Sequence, residues 1–515
     1  MDRITDTEKK SPESSYYISF TAEEFEGYER RMNNCRSPGS RSLDSSDNTN
    51  SGAKLCFEPQ NSVREDLNEA KDGAQLSLPA KRQSRYIRAV RHTLWNVYRR
   101  LFSIVFLANV AALIALLCTT KELIHINLWH LATATSTNIW VGTTIRQDCM
   151  QIILYKTAWL VPHSAPLRLR RIVAKLYENG GVHSGCGVAG AMWFTALTVL
   201  LTIQFTRLIF TSVAILVLTY VLQTLFMVLL VLAYPSLRSK YHNAFEVTHR
   251  FLGWTITILF WVELGLLAST DSLATKTPVG TILVEQPAFW FLILITIHTI
   301  LPWLNLHRWE FSPENLSKHA VRLHFKQTVS PYTGIAISKS PLFEWHPFAT
   351  MPSLSGEPTG GSLIVSSAGD WTKQTVESPK TSYWVKGYPK PGVLGMSLIF
   401  RQVVVVTTGS GIGPCLSILA SKHRRTECRV LWSSPSPLGI FGEEIVGCVK
   451  RVDADARIID TKKEGRPDMV MLAYRMYVEA EAEAVFVISN PSLTKKIVYA
   501  MECRGVPAFG PVWDS

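Results

Sequence analysis

The chain is poor in cysteine, with 9 in 515 residues and no C-x-x-C pair. That is too sparse for a disulfide framework. Glycine and proline, at 30 and 26, stand at ordinary levels, which excludes a collagen-like chain and a wholly disordered one. The start lacks basic residues followed by a short apolar run and a small-residue cleavage site, so no secretory signal is read there. No internal repeat is visible. What is present is a mixture. Hydrophobic residues make up 47% of the chain, yet the mean hydropathy is only +0.11. That lies above a soluble protein of this length and below an all-membrane transporter. A lipid-embedded part and a soluble part are expected together. The 53 basic and 41 acidic residues leave a net charge of +12, which suits either a nucleic acid or an anionic membrane surface.

Residues 1–80 hold ten basic against fifteen acidic residues and no apolar period, and are expected to form a disordered tail. From Lys81 to Arg100 there are seven basic residues and no acidic one. Apolar runs follow at 101–118, 185–205, 208–234, 251–268 and 287–304, each long enough to cross a hydrocarbon core of about 30 Å. A sixth, 132–155, is interrupted by Arg146 and Asp148. Counting it gives six spans in a transmembrane domain over 81–305. Lysine and arginine in the loops then place both chain ends on the cytosolic side, with the plasma membrane as the expected location. The positive charge falls where lipid headgroups account for it, so no nucleic-acid partner is expected. Arg146, Asp148 and Glu263 are costly in lipid and should face the bundle interior, most simply as internal ion-pairing groups.

Beyond about residue 306 the pattern is that of a soluble protein. Short β-type runs at 363–366, 403–407, 429–432 and 484–489 alternate with turns and later with helices. A β-barrel over 306–397 and an alternating α/β domain over 398–515 are expected. In the second, Val403–Thr408 runs into Gly409, Gly411, Gly413 and Pro414. Glycines at a strand-to-helix turn let backbone N–H groups approach a phosphate, though the G-x-G-x-G-P spacing is not the dinucleotide fingerprint and a plain tight turn remains open. Cys415, at the start of the following helix, is read as structural, with an acidified thiol as the alternative.

Trp345-His-Pro-Phe-Ala349, then Gly369-Asp-Trp-Thr372, then the glycine turn resemble the ferredoxin-reductase module of ferric reductases and NADPH oxidases. The resemblance implies a membrane all-α bundle followed by an antiparallel barrel and an α/β nucleotide-binding domain. It implies FAD on His346, Pro347, Phe348 and Ala349, with Gly369 and Thr372 at its pyrophosphate. It implies NAD(P)H at Gly409, Gly411, Gly413 and Pro414, and catalytic positions at Ser489 and Trp513. Ala349 departs from the family's hydroxyl residue, and Ser489-Asn490-Pro491 departs from its C-G-P triplet. The family's paired membrane histidines bind two stacked haems. Here only His183 and His249 stand at the inner level, while the outer positions are Ala196 or Leu197 and Val262 or Glu263. A single haem on His183 and His249 is one reading, and retained interface residues the other. Gly180–Gly185, Phe245–Trp254 and the ending Ala508–Asp514 bring the resemblance closest to the TmpA-type membrane flavoproteins of fungi.

Two functions are expected to compete. One is a membrane-bound oxidoreductase passing electrons from cytosolic NAD(P)H through FAD to a small-molecule acceptor near the membrane. The other is a catalytically weak flavoprotein acting as a regulator or redox sensor. A transporter is disfavoured, because no inverted repeat or paired broken helix is visible. The choice between NADH and NADPH stays open, since Trp432-Ser-Ser-Pro435 offers only hydroxyls and Arg466 is the nearby cation. The oligomeric state also stays open.

Overall fold

The computed structural model describes residues 77–120, 122–353, 360–419 and 426–512. The tail expected over 1–80 therefore lies outside the described residues up to position 76, as does Trp513. In chain order the first half holds the helices α1 (Val97–Thr119), α2 (Leu128–Thr144), α3 (Asp148–Trp159), α4 (Leu167–Val173), α5 (Gly180–Thr206), α6 (Val213–Leu232), α7 (His242–Thr275) and α8 (Pro287–Leu304), with further short helices at Arg85–Arg88, Pro235–Lys240 and Val279–Glu285. Among the described residues five of these, α1, α5, α6, α7 and α8, are long and apolar enough to cross a membrane.

The expected continuous span over 132–155 is corrected. The chain breaks at residues 145–147, leaving α2 with 17 residues and α3 with 12. Asp148 begins α3, where its charge suits the positive helix end. It does not face the bundle interior as expected. Its carboxylate takes a hydrogen bond from Lys390 Nζ at 2.8 Å and one from the Tyr388 N–H at 3.2 Å, both on the soluble side. The Ile145 carbonyl released by the break is taken up by Gln151 Nε2 at 2.6 Å.

Helices α1 and α5 touch through glycine. A Cβ at Gly181 would run into the Tyr98 carbonyl, and one at Gly185 would lie 3.0 Å from Phe102 O and 3.1 Å from Val105 Cβ. Spacing of four puts both glycines on one face, the small-xxx-small arrangement that lets membrane helices pack backbone to backbone. Tyr98 OH and Ser184 Oγ hydrogen-bond across the same seam at 2.5 Å. Gly185→Leu should therefore push the helices apart and cost about 3 kcal/mol, the upper end of overpacking. A fall in the thermal midpoint of the detergent-solubilised protein would show it, and an unchanged midpoint would contradict it. Deeper in the bundle, Asn138 Nδ2 and Trp193 Nε1 both donate to Asn109 Oδ1 at 2.8 Å, joining α1, α2 and α5.

The soluble half opens with β1 (Leu306–Glu310), β2 (Ser312–Asn315), β3 (Ala320–Phe325), β4 (Thr333–Ser338), β5 (His346–Ala349), β6 (Met351–Pro352) and β7 (Gly361–Ser366). Helix α9 (Asp370–Glu377) and β8 (Ser382–Pro391) complete it. These strands form two antiparallel sheets, ordered β1-β8-β4-β5 and β2-β3-β7-β6, around a core that includes Leu323, Ile337, Leu363 and Tyr383. The chain continues through β9 (Gln402–Thr408), α10 (Ile412–Leu419), β10 (Glu427–Ser434), α11 (Pro437–Val452), β11 (Arg457–Asp460), α12 (Met469–Glu479), β12 (Ala484–Ile488), α13 (Pro491–Glu502) and β13 (Ala508–Phe509). Its five strands are parallel and ordered β11-β10-β9-β12-β13. Val403–Val406 of the central strand are fully buried. A strand flanked by parallel neighbours and covered on both faces must be apolar along its whole length, which is why this run shows no alternation.

Candidate functional site

The parallel sheet positions the first part of the site. In chain order its strands run 3-2-1-4-5, so the connections leave in opposite directions from neighbouring strands β9 and β12. Open α/β sheets bind ligands in the crevice at such a switch point, outside the carboxyl ends of the strands. Both ends carry the residues singled out in the sequence. After Thr408 the chain turns at Gly409, whose φ of +51° suits glycine. Trp432 Nε1 holds the Gly409 carbonyl at 3.1 Å. Gly411 is pressed against the Ile488 carbonyl, and a Cβ there would lie 2.7 Å from Thr407 Oγ1. At Gly409 a Cβ would meet nothing within 4 Å, so the space outside the turn is open. Helix α10 starts at Ile412, whose N–H donates to the Gly409 and Ser410 carbonyls, and Pro414 in its first turn carries no N–H.

Ser489 stands at the end of β12, with its hydroxyl hydrogen-bonded to that of Thr408. Asn490 accepts from the Leu493 N–H at 3.0 Å and caps α13, while Pro491 occupies the first turn. The departure from the family triplet thus reads locally as a strand end followed by a standard helix start. Cys415 donates to the Gly411 carbonyl at 3.3 Å, and burial pushes its thiol up to about 12. The structure bears out its structural reading.

The barrel supplies the facing wall. Helix α10 packs against β5 and β6, and a Cβ at Gly413 would sit 3.7 Å from Ile364 of β7. Side chains alternate along β5, so His346 and Phe348 share one face and Pro347 and Ala349 the other. His346 stacks on Trp371 with ring centroids 4.1 Å apart, and Phe348 follows at 6.1 Å. Burial lowers the His346 imidazole from its ordinary value, with Glu344 opposing the shift. Trp371 belongs to α9, whose start is closed by Thr372: its Oγ1 accepts from the Ala368 and Gly369 N–H groups, both at 2.9 Å. A Cβ at Gly369 would meet only open space. Among the described residues two polar atoms here are buried without a hydrogen bond, Trp371 Nε1 and Ser366 Oγ, while His346 Nε2 lies 3.5 Å from the Glu344 carboxylate. Orphaned polar atoms beside the open space at Gly369 are what a bound polar group would satisfy.

The second part of the site lies in the bundle. Helix α7 has 34 residues, about 51 Å, far more than a hydrocarbon core requires. Its surplus at the His242 end reaches the barrel. Arg250 donates to the Leu342 and Phe343 carbonyls at 2.6 and 2.9 Å, and Asn243 Nδ2 to Glu344 at 2.9 Å. This places His249 one residue from a barrel contact. His183 of α5 faces it, with imidazole centroids 6.4 Å apart. His183 Nδ1 is 2.8 Å from the Gly142 carbonyl, which fixes the proton on that nitrogen and leaves Nε2 bare. Nearby in the chain, Trp254 meets Trp303 edge-on with centroids 5.3 Å apart, and Lys386 lies over Trp303 at 4.7 Å and over Trp345 at 4.6 Å. Burial and Arg250 bring the Lys386 ammonium down to about 8.

Sequence reasoning missed what locks these parts together, because the partners are hundreds of residues apart. Arg170 of α4 forms a bidentate ion pair with Glu483, at 2.5 and 2.7 Å. Lys175 and Arg171 meet Glu502 at 3.3 and 3.5 Å, and His92 meets it at 3.2 Å. Tyr155, Ala158 and Ala174 complete the core under the parallel sheet. Arg466 lies on an exposed loop after β11. Glu263 is buried in the bundle and takes a hydrogen bond from Thr219 at 2.5 Å; no ion pair joins it among the described residues. No group of three or more His, Cys, Asp or Glu is placed to hold a metal among those residues.

Glu502 gives a pH prediction. Burial alone would raise its carboxyl, but Lys175, His92 and Arg171 bring it down to about 2. A folded value below the unfolded one means stability that is complete above about pH 4.5 and lost as the pH falls toward 2. Glu502→Gln should flatten that acid limb in thermal unfolding followed against pH, by on the order of 3 kcal/mol. An acid limb as steep as that of the parent would contradict it.

Residues 393–515 match the family described as adenylate-forming reductase 03009, C-terminal domain. Adenylate-forming reductase 06235 of Coprinopsis cinerea is 42% identical over 440 residues, covering 85% of this chain and 42% of that protein. The chain thus spans about two fifths of the relative's length, and its homologues are adenylate-forming reductases. Among solved structures, a flavohemoglobin from Malassezia yamatoensis with bound FAD and heme is 13% identical with a TM-score of 0.37, over 74% of this chain and 98% of that one. A ferredoxin NADP+ reductase from Neisseria gonorrhoeae with bound FAD and NADP is 12% identical with a TM-score of 0.33, over 40% of this chain and 98% of that one.

Proposed function

We propose that the chain is a membrane-embedded, flavin-dependent NAD(P)H oxidoreductase, with its nucleotide crevice on the cytosolic side and a small-molecule electron acceptor at the membrane. The observation that carries this reading is the crevice itself. The glycine turn at the switch point of a doubly wound sheet opens against the barrel strand that bears His346 and Phe348. Gly409, Gly411 and Gly413 let the backbone of the turn close on a pyrophosphate. Thr408 and Ser489 bring two hydroxyls to the same mouth, a donor and an acceptor suited to a carboxamide.

The residues present fit FAD on the barrel. Trp371 Nε1 and Ser366 Oγ await polar partners, and a Cβ at Gly369 beside them would meet open space. FAD held there would accept the hydride and release electrons singly. Thr372 keeps the helix start in shape, and Trp371 stacks on His346 to fix its ring.

His183 and His249 fit a single haem. Their imidazoles would hold it: they lie with centroids 6.4 Å apart, and the Gly142 carbonyl at His183 Nδ1 is the kind of outer partner that orients a ligating histidine. Haem would provide a one-electron store at the barrel-facing end of the bundle. Protein purified in detergent should therefore show a flavin spectrum and a haem Soret band, and His183→Ala should remove the second while leaving the first. Colourless protein that oxidises neither NADH nor NADPH would sink the proposal as a whole. A flavin band without a Soret band would sink its haem part.

A further inference from the structure

The stretch before α1 is a second membrane-facing element. Arg85–Arg88 is α-helical and Ala89–Leu94 continues as a π-helix, until the backbone turns out of helical geometry at Trp95. Asn96 then caps α1, accepting from the Arg99 N–H at 2.9 Å. Arg99 reaches back to the Thr93 and Leu94 carbonyls, and Arg100 to that of Trp95 at 2.7 Å. The elbow is therefore built by the chain's own arginines, and it sets the short helix directly at the mouth of a spanning one.

Its two sides differ. One side docks on α13. The Arg82 N–H donates to the Cys503 carbonyl at 2.7 Å, Arg504 Nε donates to the Pro79 carbonyl at 2.8 Å, and His92 pairs with Glu502. The other side is exposed and carries Tyr86, Ile87, Leu94 and Trp95, together with Arg85 and Arg91. The Arg91 side chain makes no ion pair or hydrogen bond among the described residues. No acidic residue occurs between Asp72 and Glu122.

We infer that this exposed face rests on anionic phospholipid headgroups and thereby straps α13 to the membrane surface. Position leaves little choice of partner. Trp95 is two residues from the start of α1, at most about 7 Å of chain, so the face lies at the level where that helix enters the bilayer. Tryptophan and tyrosine favour that level, aliphatic side chains reach below it, and exposed arginine complements the phosphate of anionic headgroups. The strap has a consequence for the crevice, because α13 begins at the Ser489–Pro491 turn.

The full chain reconstituted in nanodiscs tests this by hydrogen exchange of the amides of residues 84–96. Exchange should be slower in discs containing phosphatidylserine than in phosphatidylcholine alone. Arg91→Gln should lose about fivefold of that protection, and Arg85→Gln with Arg91→Gln more, since each surface arginine contributes about a factor of five. High salt should erase the difference between the two lipids. Equal exchange in the two lipids, or an Arg91→Gln protein with undiminished protection, would overturn the inference. Because Arg91 is exposed and its side chain makes no ion pair or hydrogen bond among the described residues, its variant should melt like the parent, so a lost lipid effect is not a folding defect.

Discussion

Gly411→Ala should lower kcat/KM for NAD(P)H by on the order of 100-fold, the cost of moving a binding element by about an ångström. The reason is local. The methyl would be driven into the Ile488 carbonyl and would come within 2.7 Å of Thr407 Oγ1. Both belong to the central strands β9 and β12, which pair through Ile488 and Thr407 and cannot yield. The turn must move instead, taking the start of α10 with it. Gly409→Ala makes the control. Its methyl meets open space, so the cost is confined to a φ of +51°, about 1 kcal/mol of backbone strain. Steady-state kinetics with a thermal melt for each variant distinguish the two. Equal activity of Gly411→Ala and the parent would show that the turn does not hold the nucleotide.

Arg170→Ala should be the most damaging change outside the crevice. Arg170 is 4% exposed and holds Glu483 with two hydrogen bonds, while the Arg401 N–H supplies a third at 2.7 Å. Removing one partner of a buried pair costs about 3–5 kcal/mol; with the Glu483 side chain 20% exposed, about 2–3 kcal/mol is expected. The Glu483 carboxyl shows the same coupling. Burial would raise it, but the hydrogen bonds from Arg170 and the Arg401 N–H bring it below its ordinary value. Its contribution is therefore present above the usual carboxylate range and lost as the pH falls through the lowered value. Arg170→Ala should melt well below the parent at neutral pH and lose part of that gap in acid. A gap that does not narrow in acid would contradict the pairing. Because α4 lies between two helices of the bundle and Glu483 leads into β12, the variant should also loosen the parallel sheet from the bundle, seen as faster proteolysis between them.

Much of this arrangement was legible in the sequence. The uncharged runs at 101–118 and 287–304 have the length of spans, and Val403–Thr408 into three glycines signals strand, turn and helix. These are local signals: hydropathy over one window, or glycine where a Cβ does not fit. What escaped was set by distant partners. Nothing near Asp148 announces Lys390, so a carboxylate in an apolar stretch was expected inside the bundle when it faces the barrel. Gly181 and Gly185 sit beside His183, and their spacing was the one available signal for the α1–α5 seam. Ser489-Asn490-Pro491 departs from a family triplet but obeys the rule for starting a helix, a distinction that needed the α13 boundary.

The central claim is that nucleotide bound at the glycine turn feeds a flavin on the barrel. Anaerobic addition of NADPH or NADH to the detergent-purified, FAD-loaded protein, followed by visible absorption, tests it most directly. The account predicts that the oxidised flavin band bleaches with one equivalent of reduced nucleotide in the parent, and is almost unchanged on the same timescale in Gly411→Ala. A flavin that stays oxidised in the parent, or bleaches equally fast in Gly411→Ala, would contradict it.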